Sequence, residues 1–559
     1  MNAATRLDFP SPLHALAHWV EVQGDSTYLT QPLADGSVIE LSWRQVDEQA
    51  RRLASYLLAL GLPPRSNIIL SGKNCAHWVI ADLAIWMAGH VSVPIYPTLN
   101  AQTTQYILEH CAAGLFFVGR LGGVDDSWNE VREIIPAQMP LVRLPDSPEV
   151  RGQTWENIQR EYPPLATIEH RGVDDLATIV YTSGTTGRPK GVMHSFHSLT
   201  APCRSTAEVW HPSPTDRMLS YLPLAHVAER VAVEMPSLVF GFPLFFNLSL
   251  ETFAADLKRA RPTRFFSVPR LWTKFYQTVN AHIPPSRQRL LFSLPLVSGV
   301  VKRKILTQLG LDAARLCFTG AAPMPSNILQ WYRGLGLELL DVFGMSENAA
   351  TSHASPPGAA RPGYVGVPLP GVECRIDESG EVLVKSPGQM LGYYRMEEVS
   401  NELLTGDGFF RTGDRGVISD DGYLKITGRV KELFKTSKGK YVAPVPIENK
   451  LAAHPFVEVS CATGPGEPQP FALVVLSPEL DLAAGRERIE SELAALVEGT
   501  NQSLEEHERL DYLVVVNEPW TIQSGMLTPT MKLRREAVED RYLHRAEEWR
   551  EMQRKVIWE

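Results

Sequence analysis

The chain has 559 residues, of which 44% are hydrophobic and 21% charged, and its formal net charge is -9. This composition is typical of a globular protein, and the length is too great for one core, so at least two domains are expected. The acidic balance argues against a nucleic-acid partner, because nucleic-acid binding needs a basic face. A local basic pocket that binds phosphate groups is still compatible with this acidic net charge.

Six cysteines are scattered along the chain without a CxxC pair, which favours free thiols in a reducing compartment over disulfides or a zinc site. The N-terminus lacks the basic start and apolar core of a signal peptide. The most apolar stretch, 236–250, is interrupted by Gly241 and Pro243 and is too short to span a bilayer. The sequence therefore predicts a cytoplasmic protein, with peripheral membrane contact and a homodimer left open.

Helical and strand-like segments alternate through the first part of the chain. Ser42 and Gln45 have the spacing of a capping box, and Gly61 is a suitable helix end. The helix between them is expected to carry its apolar residues on one side: Ala50, Leu53, Ala54, Leu57 and Leu58. Apolar runs of strand length follow at 177–182, 265–268, 316–319 and 339–343. This alternation favours α/β layers with largely parallel sheets.

The pattern changes after about Gly363. Segments 373–377 and 381–385 have strand character, and Asp421-Gly422 is a strong hairpin signal. We expect a large N-terminal domain over 1–428 made of layered α/β sheets, with a β-rich subdomain over about 364–428. A smaller α+β C-terminal domain is expected over 429–559.

Residues 181–191 read YTSGTTGRPKG and directly follow a predicted strand. Glycines let the backbone approach an anion closely, and successive N–H groups can form an anion-binding nest. A flexible turn is the alternative, which the density of hydroxyl groups and the two cations disfavour. The spacing is not that of a Walker loop. The residues assigned to phosphate binding are Thr182, Ser183, Gly184, Thr185, Thr186, Gly187, Arg188 and Lys190.

This loop resembles the signature of the adenylate-forming (AMP-binding) superfamily, which includes acyl-CoA synthetases, firefly luciferase and peptide-synthetase adenylation domains. Further motifs of that superfamily follow in the expected order over essentially the whole chain, so a chance match is negligible. They are YLPLAHVAER (221–230), GAAP (320–323), DVFGMSE (341–347), DGFFRTGD (407–414) and LTPTMKLR (527–534). The resemblance implies the adenylate-forming fold, with a mobile C-terminal domain.

The resemblance also assigns residues to the nucleotide and its cation. His226 is implied to lie beside the carboxylate and the nucleotide. Asp414 is implied to bind the ribose, and Arg429 to face the ribose or a phosphate. Thr185 and Glu347 are the implied Mg²⁺ ligands; a packed histidine and a helix N-terminal acid are the ordinary alternatives for His226 and Glu347. The segments implied around the adenine contain Gly320, Ala321, Ala322, Asp341, Phe343, Gly344 and Ser346.

Two of these positions depart from many relatives, and three lysines complete the implied machinery. Phe343 stands where many relatives have Tyr, and Ser346 where many have Thr. Lys532 resembles the adenylation lysine, an ammonium able to reach both the substrate carboxylate and the α-phosphate. Lys431 occupies the hinge position, and Lys435 matches a lysine of the second half-reaction in some relatives. Solvated surface lysines are nearly as good an interpretation of Lys431 and Lys435.

The resemblance is nearest to bacterial long-chain fatty-acyl-CoA synthetases, on YLPLAHVAER, SVPRLWTKFY (267–276) and KELFKTSKGKYVAPVPIE (431–448). It implies an acid–thiol ligase that uses ATP, Mg²⁺ and coenzyme A to activate a carboxylic acid, with a medium- or long-chain fatty acid as the hypothesis. The apolar run 233–246 fits an acyl tunnel and a core segment equally. Two alternatives stay open: an acyl-AMP ligase that loads a carrier-protein phosphopantetheine, and a non-catalytic nucleotide-binding regulatory protein.

Overall fold

The computed structural model describes residues 9–121, 127–169, 171–182, 188–322 (the Leu296 side chain excepted), 324–478, 480, 485–522, 524–528 and 532–559. In this part of the chain, no helix combines the length and apolarity that crossing a bilayer requires. The α-helices are α1 (Pro12–Gln23), α2 (Trp43–Ala59), α3 (Ala76–Met87), α4 (Ala101–Cys111), α5 (Ser127–Ile134), α6 (Trp155–Glu161), α7 (Phe196–Trp210), α8 (Val227–Glu229), α9 (Met235–Phe240), α10 (Phe253–Ala260), α11 (Pro269–His282), α12 (Pro285–Ser293), α13 (Pro295–Leu309), α14 (Ser326–Leu335), α15 (Glu397–Glu402), α16 (Pro444–Ala452), α17 (Arg486–Asn501), α18 (Arg535–Tyr542) and α19 (Ala546–Glu551).

Short helices of other types and many strands complete the described structure. Residues Arg230–Glu234 form a π-helix, and Ser346–Asn348, Glu506–Glu508 and Leu543–Arg545 form 3₁₀ turns. The strands are β1 (Thr27–Pro32), β2 (Val38–Ser42), β3 (Asn67–Ser71), β4 (Val91–Ile95), β5 (Leu115–Val118), β6 (Leu141–Arg143), β7 (Gln153–Thr154), β8 (Leu176–Thr182), β9 (Lys190–Ser195), β10 (Met218–Ser220), β11 (Leu244–Phe246), β12 (Arg264–Ser267), β13 (Leu316–Gly320), β14 (Leu339–Phe343), β15 (His353–Ala354), β16 (Val367–Pro368), β17 (Glu373–Ile376), β18 (Glu381–Lys385), β19 (Gly392–Tyr393), β20 (Phe410–Ile418), β21 (Leu424–Arg429), β22 (Phe434–Lys435), β23 (Tyr441–Val442), β24 (Val457–Thr463), β25 (Phe471–Leu476), β26 (Leu513–Val515) and β27 (Val556–Trp558).

The predicted capping box starts α2. The Gln45 N–H donates to Ser42 Oγ at 3.3 Å, and the Ser42 N–H donates to Gln45 Oε1 at 2.8 Å, so two helix-end donors are satisfied reciprocally. Four of the five predicted apolar residues of this helix are buried. The prediction for Leu58 is wrong: it is 48% exposed, because its position lies beyond the edge of the buried stripe on a 3.6-residue helix.

The central sheet has eight strands in the order β19-β9-β8-β4-β3-β5-β6-β7. Strands β8, β4, β3, β5, β6 and β7 run parallel to their neighbours, as the alternation of helices and strands predicts. Strand β9 runs antiparallel to β8, with Thr182 opposite Lys190. The predicted phosphate loop therefore connects two neighbouring antiparallel strands at one end of this sheet.

A second sheet has the order β12-β13-β14-β15-β16, and its first three strands are parallel. These three strands confirm the apolar runs predicted at 265–268, 316–319 and 339–343. A third sheet, β10-β11-β1-β2, packs against α2 and α3 and contributes to the same large core. The carboxyl ends of β13 and β14 lie side by side, which is where open α/β sheets place ligands.

The later part of the chain forms antiparallel and mixed sheets. Strands β17, β18, β20 and β21 make one antiparallel sheet, so the predicted β-rich region is confirmed. Strands β24 to β27 form a separate four-stranded sheet. Helices α16 and α17 contribute to the apolar cluster on one side of that sheet, and α18 and α19 to the cluster on the other. Alternate apolar residues of these strands enter the two clusters, so both faces of the sheet are buried.

A buried arginine connects the central sheet to the helices beside it. Arg230 is inaccessible to solvent and donates to Thr178 Oγ1 on β8 at 2.8 Å. It also donates to Glu234 at 3.1 Å and forms an ion pair with Asp82 on α3. Because a buried charge is costly unless it is paired and hydrogen-bonded, each member of this cluster depends on the others.

We therefore expect Arg230→Met to destabilise the protein by about 3–5 kcal/mol, since it leaves two carboxylates buried without their cation. Urea unfolding followed by tryptophan fluorescence measures this change. The matched control is Arg44→Gln, because the Arg44–Asp25 pair has side chains 58% and 91% exposed and should contribute at most about 1 kcal/mol. Equal stability of the two variants would contradict the structural role of Arg230.

Candidate active site

A loop of the C-terminal region holds Lys532. The Lys532 N–H donates to Thr528 Oγ1 at 3.0 Å, and the Thr528 N–H donates to the Lys532 carbonyl at 2.8 Å. Three residues on, Arg535 donates to Glu448 of α16 at 2.6 Å and to the Ala462 carbonyl of β24 at 2.7 Å. The described residues on either side of Lys532 are therefore held to each other and, through Arg535, to the C-terminal sheet.

Lys532 lies in a cleft where charged groups converge. Its side chain reaches solvent, but protein surrounds it on most sides, and this burial lowers the pKa of Lys532. Arg429 lowers that pKa further, whereas Asp414, Glu347 and Glu432 raise it. The C-terminal lysine thus shares one electrostatic environment with three residues that the sequence assigned to nucleotide and metal.

Asp414 and Arg429 form a cross-strand ion pair. They stand directly opposite each other on β20 and β21, with Arg429 Nε 2.9 Å from Asp414 Oδ1. Burial raises the pKa of Asp414, while Arg429 and Lys532 act to lower it. A carboxylate has about four lone-pair sites, so Asp414 can accept further hydrogen bonds, such as those of a pair of hydroxyl groups.

His226 immediately precedes the short helix α8, and its ring caps that helix. Its Nδ1 accepts the Ala228 N–H at 3.1 Å, so the neutral ring carries its proton on Nε2. Burial and the nearby Lys532 ammonium lower the pKa of His226 to about 3. At neutral pH the side chain is therefore an uncharged donor close to the lysine.

Glu347 is oriented by a tyrosine that the sequence analysis missed. The Tyr393 hydroxyl donates to Glu347 Oε1 at 2.7 Å, and Lys190 Nζ lies 5.1 Å from the centroid of the Tyr393 ring. Tyr393 reaches this position because β19 pairs with β9, with Tyr393 opposite Val192. It lies 46 residues from Glu347, so no local spacing rule connects the two.

The ends of β13 and β14 leave no room for side chains at two predicted glycines. A Cβ at Gly320 would lie 2.7 Å from Val342 Cγ2, and one at Gly344 would lie 2.2 Å from the Ala350 carbonyl carbon. Ala321 follows with a φ of 67°, in the left-handed region. Backbone and small side chains therefore form this edge, which suits the close approach of a flat ring.

The other residues predicted around the adenine lie along the same edge. Ala322 is exposed beside Ala321, and burial raises the pKa of Asp341 to about 7. The Phe343 ring meets the His353 ring edge-on, with centroids 6.0 Å apart. The Ser346 carbonyl accepts a 2.7 Å hydrogen bond from Nε2 of buried His194, another residue that the sequence analysis missed.

The core of the predicted phosphate loop, Ser183 to Gly187, lies outside the described residues, as do Pro529 and Thr530 of the lysine motif. At the loop's edges, Thr182 ends β8 and Lys190 begins β9 opposite it. Arg188 is exposed, with its guanidinium carbon 5.7 Å from the centroid of the Tyr106 ring. The two predicted cations thus lie at the start of the loop's return strand, Arg188 near α4 and Lys190 near β19.

The two remaining lysines lie on the C-terminal side of β21. Lys431 is exposed in the turn between β21 and β22. Lys435 is exposed on the β22–β23 hairpin, where its ammonium lies 5.6 Å from the centroid of the Tyr441 ring. Its ammonium thus contacts a ring of its own hairpin, while its backbone carbonyl accepts the Gly466 N–H at 2.9 Å. The apolar run 233–246 is mostly buried and packs into the main hydrophobic core.

Comparisons with known proteins identify the family. Residues 16–394 match the family model described as AMP-binding enzyme, and residues 432–552 match that of the AMP-binding enzyme C-terminal domain. The long-chain-fatty-acid–CoA ligase FadD15 of Mycobacterium bovis is 30% identical over 92% of each chain, and the human long-chain-fatty-acid–CoA ligase 1 is 29% identical over 89% of this chain and 80% of its own. The A domain of the carboxylic acid reductase from Segniliparus rugosus, solved with AMP and a co-purified carboxylic acid, superposes with a TM-score of 0.80 at 22% identity, over 98% of this chain and 96% of that one. The chain therefore belongs to the AMP-binding enzyme family, as its motifs indicate, and has the α/β fold predicted from them.

Proposed function

We propose that this protein uses ATP to activate a medium- or long-chain fatty acid as an acyl-adenylate and then transfers the acyl group to coenzyme A. One observation supports the proposal: the charge of Lys532 acts on the pKa of His226, and the charges of Glu347 and Asp414 act on the pKa of Lys532, although these residues come from distant parts of the chain. The matched relatives named long-chain-fatty-acid–CoA ligases support the substrate class.

In the first step, a carboxylate oxygen attacks the α-phosphorus of ATP, and the bond to the pyrophosphate oxygen breaks. Both reactants are anions, so cations must offset their repulsion before the reacting atoms can meet. Lys532 supplies a charge at the cleft, and Lys190 and Arg188 supply charges beside the phosphate loop. Neutral His226 donates its Nε2 proton in a hydrogen bond to the carboxylate without adding charge. Asp414 accepts hydrogen bonds from the ribose hydroxyls.

The donor set fits Mg²⁺ delivered with the nucleotide. This cation usually retains several waters and binds through one or two carboxylates together with phosphate oxygens. Glu347 provides one oriented carboxylate, and the described residues contain no cluster of three or more His, Cys, Asp or Glu side chains that would form an all-protein cage. We assign Glu347 and Thr185 as its protein ligands. When bound, the cation neutralises charge on the phosphate oxygens.

In the second step, the thiol of coenzyme A attacks the acyl carbonyl. A carbon–sulfur bond forms, the carbon–oxygen bond to AMP breaks, and the thiol proton passes to solvent. We propose that residues 429–559 rotate as a unit about Lys431 against residues 1–428 between the steps. Lys532 then leaves the cleft, and the exposed hairpin that carries Lys435 faces the nucleotide, so one site serves two reactions.

The proposal predicts that Lys532→Ala lowers acid-dependent pyrophosphate release by roughly 10²–10³-fold, the usual effect of losing a preorganised charge contact at a transition state. Transfer from supplied acyl-AMP to coenzyme A should stay near the wild-type rate. Lys435→Ala is the matched control and should show the opposite pattern. The assay follows pyrophosphate, AMP and acyl-CoA with acids from acetate to oleate.

Each component of the proposal has its own contradicting result in this assay. Saturation by acetate without a response to dodecanoate or palmitate would reject the fatty-acid assignment. Adenylate formation without transfer to free coenzyme A would favour a carrier-protein acceptor. If Lys532→Ala and Lys435→Ala slowed the same half-reaction, the proposal that the two lysines act in different steps would be rejected.

A pH prediction follows from the charges around Lys532. Activity requires its protonated form, and burial lowers its pKa below the ordinary 10.5, so kcat/KM for adenylation should fall on the alkaline side below pH 10.5. Glu432→Gln removes a carboxylate that raises this pKa and should move the fall to lower pH. Arg429→Gln removes a cation that lowers the pKa and should move the fall to higher pH. Shifts in the same direction would contradict the assignment.

Tyr393→Phe tests the orientation of Glu347. Loss of the hydroxyl frees one carboxylate oxygen, so we expect the Mg²⁺ concentration at half-maximal activity to rise about tenfold, as for other groups that orient a metal ligand. The matched control is Tyr394→Phe, which removes the neighbouring hydroxyl 3.1 Å from Asn67 Nδ2. A Mg²⁺ titration that distinguishes neither variant from the wild type would remove Tyr393 from the site.

A further inference from the structure

The helical hairpin of α12 and α13 exposes an apolar tip and contains none of the family motifs. The exposed side chains at this tip are Leu290, Leu294, Val297 and Val300, with 62%, 42%, 39% and 69% of their surfaces open to solvent. Of the fifteen large hydrophobic residues that are exposed in the described part of the chain, four therefore lie within eleven consecutive residues. Such a concentration of exposed apolar surface is typical of an interaction site.

The same segment carries a strong positive charge. Residues 257–311 contain eleven Lys and Arg and no Asp or Glu, in a chain whose net charge is -9. The hairpin holds five of these cations: Arg287, Arg289, Lys302, Arg303 and Lys304. Within the described residues, Arg287, Arg289 and Lys304 are exposed and take part in no ion pair with a carboxylate. This face therefore carries a net charge opposite in sign to that of the whole chain.

The exposed apolar residues lie nearer the turn than four of the five cations, and the fifth cation, Arg289, lies beside Leu290. An α-helix rises about 1.5 Å per residue, so Arg287 and Lys304 lie roughly 10–15 Å along their helices from Leu294 at the turn. Lys302 begins at a similar distance from the turn, and its ammonium lies 5.3 Å from the centroid of the Phe292 ring, which is nearer the tip. An apolar end followed by cations on both helices matches the depth profile of a bilayer surface, where acyl chains lie below anionic phosphates.

We propose that the α12–α13 hairpin docks the protein reversibly on an anionic lipid bilayer. The tip residues enter the boundary between headgroups and acyl chains, and the cations contact lipid phosphates. A second copy of the chain would place two cationic faces against each other, and a neutral surface would leave the cations unmatched. The inference rests on this surface alone and does not require the proposed enzymatic function.

The test is flotation of the purified full-length protein with vesicles of phosphatidylcholine alone or of phosphatidylcholine mixed with phosphatidylglycerol, without substrate. We expect binding only to the mixed vesicles, and loss of that binding as salt is raised. The charge variant Arg287→Gln/Arg289→Gln should lower the partition coefficient roughly fivefold for each cation removed. The tip variant Leu290→Ser/Leu294→Ser/Val300→Ser should lower it at least about tenfold.

The matched controls change equivalent residues elsewhere. Leu250→Ser removes an apolar side chain that is 86% exposed, and Lys425→Gln/Arg554→Gln removes two exposed cations. Both should bind vesicles like the wild type, and unchanged circular dichroism should show that all variants are folded. Equal binding to the two vesicle types, or wild-type binding by the charge or tip variant, would overturn the proposal. Absence of vesicle binding together with a dimer that the tip variant abolishes would assign the face to a second copy, and would also overturn it.

Discussion

The ion cluster centred on buried Arg230 is the interaction on which the geometry of the site depends. It connects β8, through Thr178, to Asp82 on α3 and Glu234 at the end of the π-helix. Strand β8 leads into the phosphate loop, and Arg230 follows His226 by four residues. One guanidinium group therefore fixes the position of the histidine relative to the strand that presents the phosphate loop. The π-helix is part of this arrangement, because Arg230 and Glu234 are its first and last residues. Such π-helical turns are frequent at functional sites.

The role of this ion cluster is better explained by the geometry that it imposes on three elements than by a gain in folding stability. Burial raises the pKa of Glu234 and Arg230 acts to lower it, so the carboxylate would take up a proton more readily if the cation were absent. The Trp78 and Trp86 rings lie 5.6 and 5.4 Å from the guanidinium carbon, and they exclude water from it. Well-packed apolar residues often stabilise a core as much as a buried ion cluster does. A planar group with several fixed donors, however, holds three elements at defined distances.

Local rules account for what the sequence predicts well. The capping box of Ser42 and Gln45 and the apolar runs of β8, β13 and β14 each depend on neighbouring residues, and the structure confirms them. The approach of Tyr393 to Glu347, by contrast, depends on β19 pairing with β9 across two hundred residues, and no pattern in the chain encodes that distance. His194 and Arg230 were missed for the same reason, since their partners come from other elements. Family motifs supplied the candidate groups of the proposed site, whereas the residues that orient them required the structure.

Lys532 and His226 lie in the same cleft but differ in charge state, and burial is the physical cause of this difference. Burial disfavours the charged form of both Lys532 and His226, and each cation would repel the other. The imidazole has the lower intrinsic pKa, so it loses its proton, while the lysine is supported by the carboxylates of Asp414, Glu347 and Glu432. The site therefore presents one point charge and one neutral donor, whereas two adjacent cations would repel each other. In the proposed reaction the anionic reactants add further partners for the lysine, so the burial that depresses its pKa in the free protein strengthens its contact with the reacting phosphate.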